Sequence, residues 1–269
     1  MTIKLVAIDI DDTLLSSQKK ILPATKAALQ RALHAGVKIV LCSGRPLPGV
    51  KPFLDEIGIS GDKQYVITYN GSVIESGTGQ VIAETGLTNQ VYRQMDTYSQ
   101  ETGLQYNVLD RNGEIYTSNH DVNRIAVVQA WENSAGLLIR TPDELPADFT
   151  AIKGVFVGET AELDQREAAV REAFGANNYV VRAADNFLEV MAPGVDKGAG
   201  LKKLAAALNL SASEILAIGD EKNDIPMFDF AGQAAAMGNA APLAKEHATY
   251  QTASNDEDGI AQALEKLVF

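Results

Sequence analysis

A single cysteine, Cys42, stands among the 269 residues, so no disulfide can form within the chain and a reducing compartment is the expected setting. Positive charge is also scarce. The 23 Lys and Arg face 35 Asp and Glu, a formal net charge of -12. That deficit excludes the clustered cations with which proteins neutralise nucleic-acid phosphates, and it disfavours anionic membrane surfaces. A small anion is still admitted, because backbone N–H groups and two or three placed cations suffice locally. Long apolar runs are missing too. No window approaches the roughly 18 apolar residues of a membrane span, and the opening MTIKLVAIDIDD has too short an apolar stretch for a secretory leader. Repeats and low-complexity tracts are absent. With 46% apolar and 22% charged residues, the remainder is ordinary for a soluble globular protein, expected in the cytoplasm, with a length that allows about two domains.

The order of apolar segments predicts an open α/β sheet. Lys4 to Ile10 is too brief for a helix and stops at acidic residues, as a buried parallel strand does. Pro23 to Ala35 reads as a helix with Pro in its first turn and Gly36 as its stop. Val37 to Cys42 and Gln64 to Thr68 read as further strands, followed by Ser43-Gly44-Arg45 and Asn70-Gly71. Between about Ala83 and Ala184 the strands are more mixed in polarity and lie among helical segments, which predicts an α+β insert with helices on one face of a sheet. The α/β pattern returns after Lys197, with a strand Ile215–Ile218 that ends at Gly219-Asp220. The expected organisation is a Rossmann-like parallel-sheet core from residues 1–82 and 185–269, interrupted by an insert at 83–184.

The strongest chemical signal is Asp9-Ile10-Asp11-Asp12-Thr13 at the end of the first strand. Carboxylates two apart on an extended segment project to one side, where they repel unless something compensates. A divalent cation does so, and an all-oxygen site suits Mg²⁺. One carboxylate could then attack a phosphate held by the metal. A solvated acidic turn is the plain alternative. Asp220 and Asp224, in Gly219-Asp220-Glu221-Lys222-Asn223-Asp224, could share that metal or simply cap a helix. Ser43, Gly44 and Arg45 offer a hydroxyl, an open backbone and a guanidinium to an anion. Lys197 stands at a helix start, where its charge and the helix N-terminus add. Each of these has a bland reading as a turn or a solvated lysine. Their shared position, at strand ends and an adjacent helix start, is harder to dismiss.

The chain resembles the haloacid dehalogenase superfamily along essentially its whole length, and more closely its Cof-type sugar-phosphate phosphatases. Asp9-x-Asp11-x-Thr13, Ser43 with Gly44-Arg45, Lys197, and Gly219-Asp220-x-x-Asn223-Asp224 match the successive motifs. Asn70-Gly71 and Phe187-Leu188-Glu189-Val190, on either side of the insert, are also typical. The resemblance implies that fold, with an inserted α+β cap that closes over the site to exclude water and select substrate. It implies Asp9 as nucleophile and Asp11 as acid and then base. Mg²⁺ would be held by Asp9, Asp220 and the main chain of Asp11, with Asp224 orienting Lys197 or a metal-bound water. Ser43 and Lys197 would clamp the phosphoryl oxygens, helped by the Ile10 amide and Asn223, and Arg45 would face the substrate. The implied partner is a small phosphorylated metabolite, a sugar phosphate, with oligomeric state left open.

Two departures stand out. Asp12 replaces the usual Gly, and Ser43 stands where Thr is more frequent but keeps the hydroxyl. Glu221 reads as a first-turn residue rather than a ligand, and Cys42 as a packed strand end rather than a nucleophile. In the insert, Tyr116, Asn119 and His120 could line a cleft or lie on the surface, and Trp131 reads as packing. The rival functions are a phosphoryl-transferring mutase, a receiver-like phosphate-responsive switch, and a degenerate binding protein.

Overall fold

Short unbroken apolar runs dominate the computed structural model, which describes residues 2–269. In chain order it opens with β1 (Leu5–Asp9), α1 (Pro23–His34), β2 (Lys38–Cys42), α2 (Leu47–Ile57), β3 (Tyr65–Thr68), β4 (Val73–Ser76) and β5 (Val81–Glu84). There follow α3 (Asn89–Thr102), β6 (Tyr106–Leu109), β7 (Ile115–Thr117), α4 (Arg124–Glu132), β8 (Leu137–Ile139), β9 (Lys153–Val157), α5 (Thr160–Phe174), β10 (Tyr179–Ala184) and β11 (Phe187–Met191). The last elements are α6 (Lys197–Ala207), β12 (Ile215–Gly219), α7 (Ile225–Phe230), β13 (Gln233–Ala236), α8 (Pro242–His247), β14 (Tyr250–Gln251) and α9 (Gly259–Leu267).

The chain divides into two compact units. One comprises Met1–Arg45, Val50–Ala83 and Asp196–Phe269; the other comprises Pro46–Gly49 and Glu84–Val195. In the first, an eight-stranded sheet runs in the order β14-β13-β12-β1-β2-β3-β4-β5. Pairing is parallel from β14 through to β3, and β4 then returns antiparallel. Burial on both faces explains the lack of alternation: Leu5, Val6, Ile8, Ile39, Leu41, Leu216 and Ile218 are all 0% exposed. Each such side chain contributes about 1.5–3 kcal/mol by leaving water. The topology puts the carboxyl ends of β12, β1, β2 and β3 side by side, where open α/β sheets bind ligands.

The second unit is built on a six-stranded sheet in the order β10-β11-β9-β6-β7-β8. Tyr92 and Met95 of α3 join Leu163, Val170 and Phe174 of α5 in one core with Tyr106, Val108, Phe156, Leu188 and Val190. Two expectations are corrected here. The insert does not end at residue 184, because β11 pairs antiparallel with both β10 and β9 and so belongs to this sheet. Its Glu189 is buried in an ion pair with Lys153. Trp131 is not packing either; it is 81% exposed. The buried stripe of α4 is Ile125, Ala126, Gln129 and Ala130, and at 100° per residue Trp131 falls on the opposite side. Among the other insert candidates, His120 is exposed, Tyr116 donates to Asp110, and Asn119 bonds Tyr106 and Ser99 inside the unit.

Candidate active site

Four strand ends and one helix start bring the chemistry together within the first unit. Asp9 is the last residue of β1, Ser43 follows β2, Asn70 follows β3, and Asp220 follows β12. The register Asp9↔Cys42 places Ser43 just beyond Asp9 on the neighbouring strand. Lys197 enters as the first residue of α6, whose N-terminus is capped by Asp196 accepting from the Ala199 N–H at 2.7 Å. Glycines let that helix approach. A Cβ on Gly71 would collide with the Asp196 carbonyl, and one on Gly200 would lie 2.8 Å from the Gly71 Cα.

Lys197 is the hub. Its Nζ donates to Asp9 Oδ1 at 2.5 Å and to Asp224 Oδ1 at 2.6 Å, and the residue is 1% exposed. Asp224 folds back over its own loop, so that Oδ2 accepts the N–H groups of Asp220 at 2.9 Å and Glu221 at 3.0 Å. Gly219 permits this, since a Cβ there would sit 2.5 Å from the Asp224 carboxyl. Asp220 in turn accepts from Thr13 Oγ1 at 2.6 Å. Thr13 thus orients the Asp220 carboxylate, a role that spacing alone did not assign.

Asp9, Asp220 and Asp224 are buried, with one oxygen of each lying within 4.8 Å of the others. Burial pushes the Asp9 carboxyl well above the usual range; Lys197 opposes that shift and Asp224 adds to it. Asp220 is pushed up to about 7, chiefly by burial, against the Thr13 hydrogen bond. Burial works against the charge on Lys197, but Asp224 and Asp9 outweigh it and hold the ammonium above the usual lysine range. One cation therefore faces three buried acids. Such an excess of all-oxygen negative charge fits a hard divalent cation. Asp224 has both oxygens engaged, which leaves Asp9 and Asp220 as the side chains best able to hold one.

Asp11 and Asp12 sit differently. The chain turns widely over Ile10–Leu14, closed by the Leu15 N–H on the Ile10 carbonyl at 3.0 Å, with the Ile10 side chain fully buried. Asp12 takes a left-handed conformation, φ 58°. That accounts for Gly at this position in the resembling family, and Asp is among the few others that tolerate it. Its exposed carboxylate lies 3.4 Å from Lys19. The Asp11 carboxylate stays out of the buried cluster and takes a bidentate grip from Arg45, Nε–Oδ2 3.0 Å and Nη2–Oδ1 2.8 Å. Any part for Asp11 in holding a metal therefore falls to its main chain.

Ser43 is 2% exposed, and its Oγ accepts the Arg45 N–H at 3.2 Å, so its own proton remains for an anion. Gly44 lies against Asn70, whose Oδ1 accepts from Asn223 Nδ2 at 3.4 Å. Glu221 bonds the neighbouring Lys222 N–H and stays outside the acid cluster.

Cys42 is fully buried, and burial pushes its thiol up to about 12. A neutral thiol there is no nucleophile. The native protein is expected to resist iodoacetamide at neutral pH, and Cys42→Ala to keep turnover within about twofold of wild type. Rapid native labelling with loss of activity would contradict both.

An α/β sheet that presents a buried carboxylate, a buried lysine and an acid cluster at adjoining strand ends is suited to holding a phosphoryl group. Residues 6–264 match the family model of the haloacid dehalogenase-like hydrolases. The Bacillus subtilis protein YxeH is 34% identical over 266 residues, covering 98% of each chain. A haloacid dehalogenase-like hydrolase from Bacteroides thetaiotaomicron superposes with a TM-score of 0.89 at 30% identity, over 98% of this chain and 99% of that one. A subclass IIB sugar phosphatase of the superfamily superposes at 0.81 with 25% identity, over 98% of both. The chain belongs to the haloacid dehalogenase-like hydrolases, and it is a phosphatase among them. No helix among the described residues is long and apolar enough to cross a membrane.

Proposed function

We propose that the chain is a Mg²⁺-dependent phosphatase of small phosphate monoesters, sugar phosphates foremost, working through a phosphorylated Asp9. The observation that carries this reading is the Lys197 hub, which fixes one oxygen of Asp9 and is itself fixed by Asp224.

Asp9 and Asp220, with the Asp11 main-chain carbonyl, would hold the metal, which when bound offsets the charge of the incoming phosphate. Lys197, the Ser43 hydroxyl and the Gly44–Arg45 segment stabilise the phosphoryl oxygens as charge builds on them, with the Ile10 amide and Asn223 beside them. Asp9 attacks phosphorus, the bond to the ester oxygen breaks, and Asp11, which takes up a proton from solvent on leaving Arg45, delivers it to the departing alkoxide. Asp11 then takes a proton from water as that water attacks the phosphorylated Asp9. Phosphate leaves and Asp9 is regenerated. For this Asp11 must exchange its Arg45 partner for the ester oxygen, which gives Arg45 a route to the substrate. The sugar preference draws support from the subclass IIB neighbour.

The test is a panel of sugar phosphates, nucleotides and phosphorylated cofactors, assayed after chelation and again with Mg²⁺ restored. Turnover is expected only with the metal, and fastest on sugar monoesters. Full activity in chelator, or no hydrolysis of any ester, would overturn the reading. An added sugar acceptor that captured the phosphoryl group in place of water would identify a mutase instead.

A further inference from the structure

The turn that carries Asp11 is held from outside itself. Besides its closing bond, it contains a non-glycine residue at positive φ, a sparsely populated state that persists only when the surroundings impose it. Alongside the Thr13 bond to Asp220, two asparagines from the far end of the chain hold the turn here. Asn239 Nδ2 donates to the Asp12 carbonyl at 2.8 Å, and Asn239 Oδ1 accepts the Asn255 N–H at 3.0 Å. Asn255 Nδ2 donates to the Leu15 carbonyl at 2.9 Å, and the neighbouring Asp256 accepts the Ser17 N–H at 2.9 Å. Both ends of the Asp12–Leu15 segment are gripped.

The segment bearing Asn239 grips the other acid loop too. Met237 N–H donates to the Gly219 carbonyl at 3.0 Å, and Ala241 N–H to the Asp220 carbonyl at 2.8 Å. The two asparagines come this close because residue 238 is glycine: a Cβ there would lie 2.7 Å from the Ser254 nitrogen. Asn239 is exposed, so its bonds add little to global stability; their effect is to define where the main chain beside Asp11 lies.

We propose that Asn239 and Asn255 are positioning residues that aim Asp11. They fix the Asp12 carbonyl and so the left-handed bend immediately after Asp11, which sets the direction of its side chain. The inference rests on the reading of Asp11 as the acid and base. Misplacement of a proton donor by about 1 Å can lower the rate roughly 100-fold. The loss must fall on esters whose leaving group needs the proton.

The experiment compares wild type, Asn239→Ala, Asn255→Ala, Asp11→Asn and the Asn239→Ala/Asp11→Asn double variant, all with Mg²⁺. The substrates are p-nitrophenyl phosphate and an alkyl sugar phosphate that the wild type hydrolyses, and melting temperatures are recorded alongside. For Asn239→Ala, kcat on the sugar phosphate is expected to fall about 10- to 100-fold and on the aryl ester less than about threefold. KM and melting temperature should hardly move. Asn255→Ala is expected to give the same pattern at smaller size, and Asn239→Ala to add nothing in the Asp11→Asn background. Equal losses on both esters in the asparagine variants, or a full further loss in the double variant, would overturn the positioning role. Asp11→Asn losing equally on both esters would instead overturn the acid role, and the inference would fall with it.

Discussion

Asp9→Asn is expected to lower phosphate-ester turnover by at least ~10⁴-fold, while the chain melts at or above the wild-type temperature in metal-free buffer. The amide keeps the shape of the side chain and retains an oxygen that can accept from Lys197 at the Oδ1 position. It lacks the anionic oxygen needed to attack phosphorus. Stability should not suffer, because Asp9 is one of three buried acids arranged around a single ammonium. Burial of its charge is what weighs most against the Asp9 carboxylate, and an uncharged amide removes that cost, offsetting the lost attraction to Lys197. Turnover and a thermal melt on the same preparation check both halves. Turnover within tenfold of wild type would remove Asp9 as the nucleophile. A variant unable to fold would show the carboxylate acting in structure rather than chemistry. In the wild type, acid quenching during turnover of a labelled ester should trap phosphate on the protein. In the variant it should not.

Much of this site was legible because the core strands leave a simple trace. Leu5–Asp9, Lys38–Cys42 and Ile215–Gly219 are buried along nearly their whole length, so each appears as an apolar run that stops where its functional residue begins. The insert is less transparent for a physical reason. Glu189 breaks the apolar character of Phe187–Met191, and its buried pairing with Lys153 helps reconcile the charge with a central strand. Ile115–Thr117 and Leu137–Ile139 are too short to show any period. Trp131 misled through composition, since a large aromatic on a helix suggests burial unless its angle to the apolar stripe is counted. Within the site, the spacing of Asp220 and Asp224 admitted a shared metal or a helix cap, and it carried no sign of the fold-back that Gly219 allows, by which Asp224 reaches Lys197. Asn239 and Asn255 left no local trace at all, because their bonds to Asp12 and Leu15 span 227 and 240 residues. A side chain that bonds distant backbone imposes no pattern on its neighbours.

Lys197→Ala is expected to do the opposite of Asp9→Asn to stability, while also removing activity. Its ammonium is the only cation within hydrogen-bonding distance of Asp9 and Asp224 among the ion pairs of the described residues, and all three groups are nearly inaccessible to water. Deleting one member of a buried ionic cluster leaves the others uncompensated, which costs about 3–5 kcal/mol. At roughly 2–4 °C per kcal/mol for chains of about this size, the metal-free protein should melt some 10 °C lower. Loss of a charge that stabilises the phosphoryl oxygens should reduce turnover a further ~10²- to 10³-fold in the surviving folded protein. Two additional variants separate charge from packing. Lys197→Met keeps most of the buried stem, so a melt close to that of Lys197→Ala would mean that charge dominates the loss. Combining Lys197→Met with Asp9→Asn removes an acid along with the base, and should recover about 0.5–3 kcal/mol relative to the sum of the single changes. Strict additivity in denaturant melts would contradict the hub, for it would mean that Lys197 and Asp9 do not interact in the folded chain. Recovery would show the same contact acting twice, holding the nucleophile in place and making its burial tolerable.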